Sequence, residues 1–81
     1  MRLLKETKYL NFTEISDNGK TKIIGVGNFN GEKLAYVKWS GAWRKYCFFP
    51  IEGTSYDTSC LNDIMIFIKE LMDERKLNKN A

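Results

Sequence analysis

Two cysteines, Cys47 and Cys60, and three carboxylates, Glu52, Asp57 and Asp63, are the side chains best suited to covalent or metal chemistry in this sequence. A thiol at a helix start can act as a nucleophile, and clustered carboxylates can hold a hard cation. Neither pattern is completed here. The 81-residue chain has no histidine, so a Ser-His-Asp triad, a Cys-His pair and a His-ligated metal site cannot be assembled within it. The cysteines form no Cys-x-x-Cys or four-ligand zinc spacing, and the acids match no calcium-binding loop. They read as small buried thiols and solvated charges. Gly25-Val26-Gly27 with Asn30-Gly31 has the composition of a phosphate-binding loop, but it falls inside a hairpin and not between a parallel strand and a helix. The expectation is a non-enzymatic protein with no cofactor and no metal.

Binding chemistry has stronger support. Six of the eleven aromatic residues, Tyr36, Trp39, Trp43, Tyr46, Phe48 and Phe49, fall between positions 36 and 49, interleaved with Lys38, Arg44 and Lys45. No acid occurs from Lys33 to Ile51, and the net charge of +3 conceals a block, residues 20–51, with six basic residues against the single Glu32. Aromatic rings stack on bases while Lys and Arg neutralise phosphates, so the block suits single-stranded nucleic acid. Trp, Tyr and Arg are also the residues that anchor protein interfaces. The same side chains suit plain core packing, with one indole lying on Arg44. The candidate binding residues are Tyr36, Lys38, Trp39, Trp43, Arg44 and Lys45, with Tyr36, Lys38, Trp43 and Lys45 forming the cationic aromatic sheet face of the nucleic-acid alternative.

These residues must be positioned by a single small domain, 1–81, too short for a second core. Turn signals at Asp17-Asn18-Gly19, Asn30-Gly31 and Ser40-Gly41-Ala42 separate runs rich in β-formers. The runs predict strands over about 9–16, 21–28, 33–40 and 43–49, with 1–8 irregular. From Ser59 the periodicity becomes helical to about Lys76, with Leu61, Ile64, Met65, Ile68, Leu71 and Met72 on one stripe, a cap from Asp57, Thr58 or Ser59, and a frayed tail over 77–81. The fold class is α+β, a four-stranded antiparallel β-meander with one C-terminal α-helix packed on one face. With two-residue turns, Ile24, Val26, Ala35, Val37, Trp39, Tyr46 and Phe48 share the helix side. The other face then carries Ile23, Gly25, Gly27, Leu34, Tyr36, Lys38, Lys45, Cys47 and Phe49. A two-residue turn at Asn18-Gly19 sets Phe12 beside Gly25, and a longer loop turns it to the helix side.

The run Trp39-Ser40-Gly41-Ala42-Trp43-Arg44-Lys45-Tyr46-Cys47-Phe48-Phe49-Pro50, followed by Thr54, Asp57, Cys60-Leu61, Asp63-Ile64 and Phe67-Ile68, resembles a family of short proteins of tailed phages and prophages. Their shared core is Trp-x-x-x-Trp-Arg-x-Tyr-Cys-Phe-Phe-Pro, and the likeness spans roughly residues 20–70. It implies a phage origin and a bacterial host cytoplasm, and it implies no activity. Met1-Arg2-Leu3-Leu4 is followed by Lys5, Glu6 and Lys8, which gives neither a signal peptide nor a membrane span. The expected role is an accessory protein that binds and modulates a host protein, such as a defence or replication component. Nucleic-acid binding and a homodimer or larger homo-oligomer are the alternatives.

Overall fold

Five extended runs, β1 (Arg2–Glu6), β2 (Asn11–Asp17), β3 (Lys22–Gly27), β4 (Lys33–Ser40) and β5 (Lys45–Pro50), pair in sequence order into one antiparallel sheet. A single helix, α1 (Thr58–Asn80), returns across one face. The computed structural model describes the backbone of residues 1–80 and the side chains of residues 1–77. The α+β class and the C-terminal helix are as the sequence predicts, but the sheet has five strands and not four. The additional strand is β1, from the segment expected to be irregular. Its register shifts between Leu3 and Lys5, and Leu4 packs against the core while the next residue, Lys5, reaches the helix at Glu70. Two successive residues on the helix side break the period of two that identifies a strand.

Bulges and loops adjust the other registers too. Asp17 pairs with Lys22, leaving a four-residue loop, and a second shift between Glu14 and Ser16 makes Ile15 the extra residue. An even loop alone would leave Phe12 on the outer face. The bulge turns it inward, opposite Val26. Between β3 and β4 the loop is closed by the Asn28 amide donating to the Glu32 carbonyl at 3.0 Å, with Gly31 at φ 86°. A further bulge at Leu34 then restores the pairing that a two-residue turn would give, Ile24 with Val37 and Gly25 with Tyr36. Leu34 itself packs against the core, not on the outer face. The β4–β5 loop holds four residues, and Trp39 lies opposite Tyr46. Because that loop is also even, the faces of β5 are as predicted, but Trp43 and Arg44 belong to the loop and not to the strand.

The core fills the space between sheet and helix with Leu10, Phe12, Ile24, Val26, Ala35, Val37 and Tyr46 from below and Ile64, Phe67 and Leu71 from above. Phe12 and Phe67 stack at its centre, ring centroids 4.3 Å apart. The helix is thus rotated from its expected stripe: Phe67 is buried, whereas Leu61 and Met65 are 46% and 49% exposed. Asp57 caps the first turn, its Oδ1 accepting the Cys60 amide at 2.8 Å. Residues 77–80, expected to fray, continue the helix, and Ala81 lies outside the described residues.

Candidate functional site

The helix covers only one face of the sheet, and alternate residues of the same strands project from the other. One row crosses all five strands there: Leu3, Thr13, Gly25, Tyr36 and Phe49. Beside it lie Ile23 on β3, Lys38 paired with Cys47, and Ser40 paired with Lys45. Among the described residues no element packs on this face. Its β4–β5 half carries Lys33, Lys38 and Lys45 and no acid. The Lys38 ammonium stands 4.6 Å from the Phe49 ring centroid and that of Lys33 stands 5.7 Å from Tyr36. Both are cation–π arrangements that keep the ammonium groups near apolar surface.

The six candidate residues divide among three places. Tyr36, Lys38 and Lys45 share the open face. Trp39 is on the helix side, edge-on to Tyr46 at 5.5 Å, with the Arg75 guanidinium carbon 4.0 Å above its ring. Arg75 is held there by donating from Nη1 to the Lys20 carbonyl at 2.6 Å. Trp39 is therefore a packing residue and not part of the open surface. Trp43 and Arg44 occupy the β4–β5 loop at the end of the sheet, where Trp43 is 73% exposed. Arg44 adopts φ 55° and donates its amide to the Ser40 carbonyl at 2.7 Å. Sequence reasoning missed Lys33 as a member of the face, because the bulge at Leu34 hides its parity. The period-two spacing of Gly25 and Gly27 was the available signal for a depression in the surface.

The groups that could have done covalent chemistry are placed otherwise. Cys60 lies in the first turn of α1, where burial and the Asp57 carboxylate push its thiol up and leave it unactivated. Asp57 is held below the ordinary carboxylate range chiefly by the hydrogen bond from the Cys60 amide. Cys47 projects from the opposite side of the sheet, its Sγ 3.6 Å from the Lys45 carbonyl. Among the described residues no group of three or more metal-ligating side chains converges.

Charges on the helix side pair with one another. Lys5 meets Glu70 at 2.8 Å and Lys22 meets Glu74 at 2.9 Å. Glu14 faces Lys22 at 3.7 Å and Arg2 at 3.9 Å, ion-pair distances with one carboxylate oxygen left without a hydrogen bond. The hydrogen bond to Glu74 raises the Lys22 ammonium above its usual range against the opposing effect of burial, with the charges of Glu74, Glu14 and Asp17 adding to it. The pairs with Glu70 and Glu74 fasten α1 to the sheet, and among the described residues Lys33, Lys38 and Lys45 of the open face make no ion pair.

No helix among the described residues is long and apolar enough to cross a membrane. No family model and no solved structure matches the chain. Its sequence is 43% identical over 75 residues to an uncharacterized 9.3 kDa protein of Acholeplasma phage L2, a match that covers 90% of this chain and 96% of the phage protein.

Proposed function

The chain belongs to the family of that Acholeplasma phage L2 protein, and from this premise we propose that it is a small non-enzymatic phage accessory protein that binds an acidic surface of a host protein. The observation that carries the reading is the uncovered sheet face, with Lys33, Lys38 and Lys45 among Tyr36, Ile23 and Phe49 and without an acid on its β4–β5 half. An exposed apolar surface edged by one sign of charge is the usual form of a partner-binding patch. Trp43 extends it at the hairpin tip, where an exposed indole beside Arg44 and Lys45 has the composition of an interface anchor.

Protein is favoured over single-stranded nucleic acid because ammonium groups already stand against the Tyr36 and Phe49 rings, whereas a base-stacking platform needs free ring faces. Self-association through this face would set three lysines against their own copies. The test is affinity capture from host lysate with the wild-type protein and with two variants, Lys38→Glu/Lys45→Glu and Trp43→Ala, each checked for unchanged circular dichroism. A single acidic host protein retained by wild type and lost by the charge-reversed variant supports the reading. Equal retention by all three, or salt-dependent binding to oligonucleotides stronger than to the captured protein, would overturn it.

A further inference from the structure

The chain holds two Asn-Gly pairs, Asn18-Gly19 in the β2–β3 loop and Asn30-Gly31 in the β3–β4 loop, all four residues exposed. An asparagine followed by glycine is the arrangement most open to spontaneous deamidation. The glycine nitrogen has no side chain beside it to hinder its attack on the asparagine side-chain carbonyl, and glycine tolerates the backbone geometry that ring closure needs. In sequence the two pairs are equivalent. The loops hold them differently.

At Asn18 both reacting groups are fastened. Its Oδ1 accepts the amides of Lys20 at 2.9 Å and Thr21 at 2.8 Å. The nucleophile, the Gly19 nitrogen, donates to Asp17 Oδ1 at 2.8 Å. Ring closure there would have to release three short hydrogen bonds. The β3–β4 loop is braced instead by Asn28, whose Oδ1 accepts the amides of Asn30 at 3.0 Å and Glu32 at 3.1 Å. Asn30 takes part through its backbone alone, and among the described residues its side chain makes no hydrogen bond. The Gly31 nitrogen donates only to the Asn28 carbonyl, at a long 3.3 Å. The side-chain carbonyl of Asn30 is free and its nucleophile is loosely held.

We infer that Asn30 is a site of covalent modification, deamidated by its own backbone and water, while Asn18 is spared. The Gly31 nitrogen gives up its proton and bonds to Asn30 Cγ; the Cγ–Nδ2 bond breaks, and the nitrogen leaves as ammonia, forming a cyclic succinimide. Water then opens the ring at either carbonyl. Opening at Cγ gives aspartate, and opening at the backbone carbonyl gives an isoaspartyl link that runs through the side chain. One water is consumed, one ammonia is released and one carboxylate appears, with no change of oxidation state. That carboxylate arises in the 20–51 block, where Glu32 is the single acid, next to Gly31, which lines the same surface pocket as Lys33. The isoaspartyl form also lengthens the backbone between the Asn28 amide and the Glu32 carbonyl that it bonds. The inference is independent of what the open face binds.

The experiment incubates the full chain in warm, mildly alkaline buffer made with oxygen-18 water and follows it by tryptic mass spectrometry. Cleavage after lysine puts Asn18 in peptide 9–20 and Asn30 in peptide 23–33, and fragmentation assigns the labelled residue. Asn30 is expected to convert about tenfold faster than Asn18, the effect of one to two hydrogen bonds of ordinary net strength on a rate. In urea the two rates should converge, because the loops no longer distinguish them. Asn30→Gln should abolish labelling of peptide 23–33, and Asp17→Ala, which frees the Gly19 nitrogen, should speed conversion of Asn18. Equal rates in the folded protein, faster conversion at Asn18, or label at Asn28 in place of Asn30 overturns the inference.

Discussion

On β3 the residues turned toward the helix are Ile24 and Val26, both fully buried, and those turned away are Ile23, Gly25 and Gly27; on β4 the contrast is Ala35 and Val37 against Tyr36 and Lys38. The same strands therefore present two surfaces of different chemistry, separated by one residue of register. Toward the helix the side chains are aliphatic or aromatic, and the charges at its margin are paired across to α1 through Glu70 and Glu74. Away from it the lysines stand against aromatic rings without acids beside them. A domain of this size has one helix with which to cover one face. Stability resides on the covered side, and the other is free to be shaped by what it touches.

The sharpest way to break this comparison is to truncate one aromatic on each side. Phe67→Ala removes half of the stacked pair at the core centre and is expected to cost about 3–5 kcal/mol, comparable to the whole stability of a small domain. Phe49→Ala on the open face is expected to cost about 1–2 kcal/mol, since its ring is 37% exposed and no second ring stacks on it. Urea unfolding followed by circular dichroism measures both. Similar losses for the two variants would mean that the open face is a second core, covered in solution by something that the chain alone does not supply.

How far these surfaces were legible depended on whether parity survived the loops. Val37, Trp39, Tyr46 and Phe48 are on the predicted side because the β4–β5 loop, though longer than expected, is even. Phe12 required the bulge at Ile15 to reach the core, and a bulge leaves no mark in a residue pattern that a turn length would not equally explain. The strand β1 was lost for the same reason, a shift at Leu4 that erases alternation. On α1 the apolar residues extend well round the helix, so several stripes fit the sequence, and the choice of Phe67 over Leu61 and Met65 was made by the position of Phe12. Trp39 and Trp43, equal candidates in the sequence, were separated by Arg75, a residue thirty-odd positions away whose reach no local pattern reveals.

The hairpin tip offers an intermediate test. Arg44 holds φ 55°, a conformation that costs a residue with a Cβ but not glycine. Arg44→Gly is therefore expected to stabilise the fold by about 0.5–1 kcal/mol after the greater entropy of unfolded glycine is set against the relief. If stability falls instead, the arginine side chain contributes to packing and the tip belongs with the covered face. A gain in stability with loss of partner capture would place Arg44 among residues kept for binding.

A smaller effect is expected at the start of α1. The Asp57 carboxyl is held low by the Cys60 amide, so its contribution to stability is present above the ordinary carboxylate range and is lost as pH falls through the depressed folded-state value. Asn at this position keeps the capping oxygen and cannot titrate. The thermal midpoint of Asp57→Asn should accordingly fall less on acidification than that of wild type. Parallel acid profiles would mean that the cap carboxylate does not carry the acid sensitivity of the fold.

The least change in stability is expected at Trp43, and for that reason it separates the two regions most cleanly. Its indole is 73% exposed, so Trp43→Ala should alter the unfolding free energy by less than about 0.5 kcal/mol. Fluorescence reads the environment directly. In Trp39→Phe the remaining indole, Trp43, should emit at long wavelength and be quenched readily by acrylamide; in Trp43→Phe the remaining Trp39, edge-on to Tyr46 and beneath the Arg75 guanidinium, should be protected. Arg75→Ala ought then to raise the quenching of Trp39 without touching that of Trp43. Protection of both indoles at high dilution would place Trp43 against the body of the chain, and protection of Trp43 that disappears on dilution would identify a second copy as its cover. Free access to Trp43 at every concentration leaves the tip as it stands in the structure, an apolar anchor beside a cationic face.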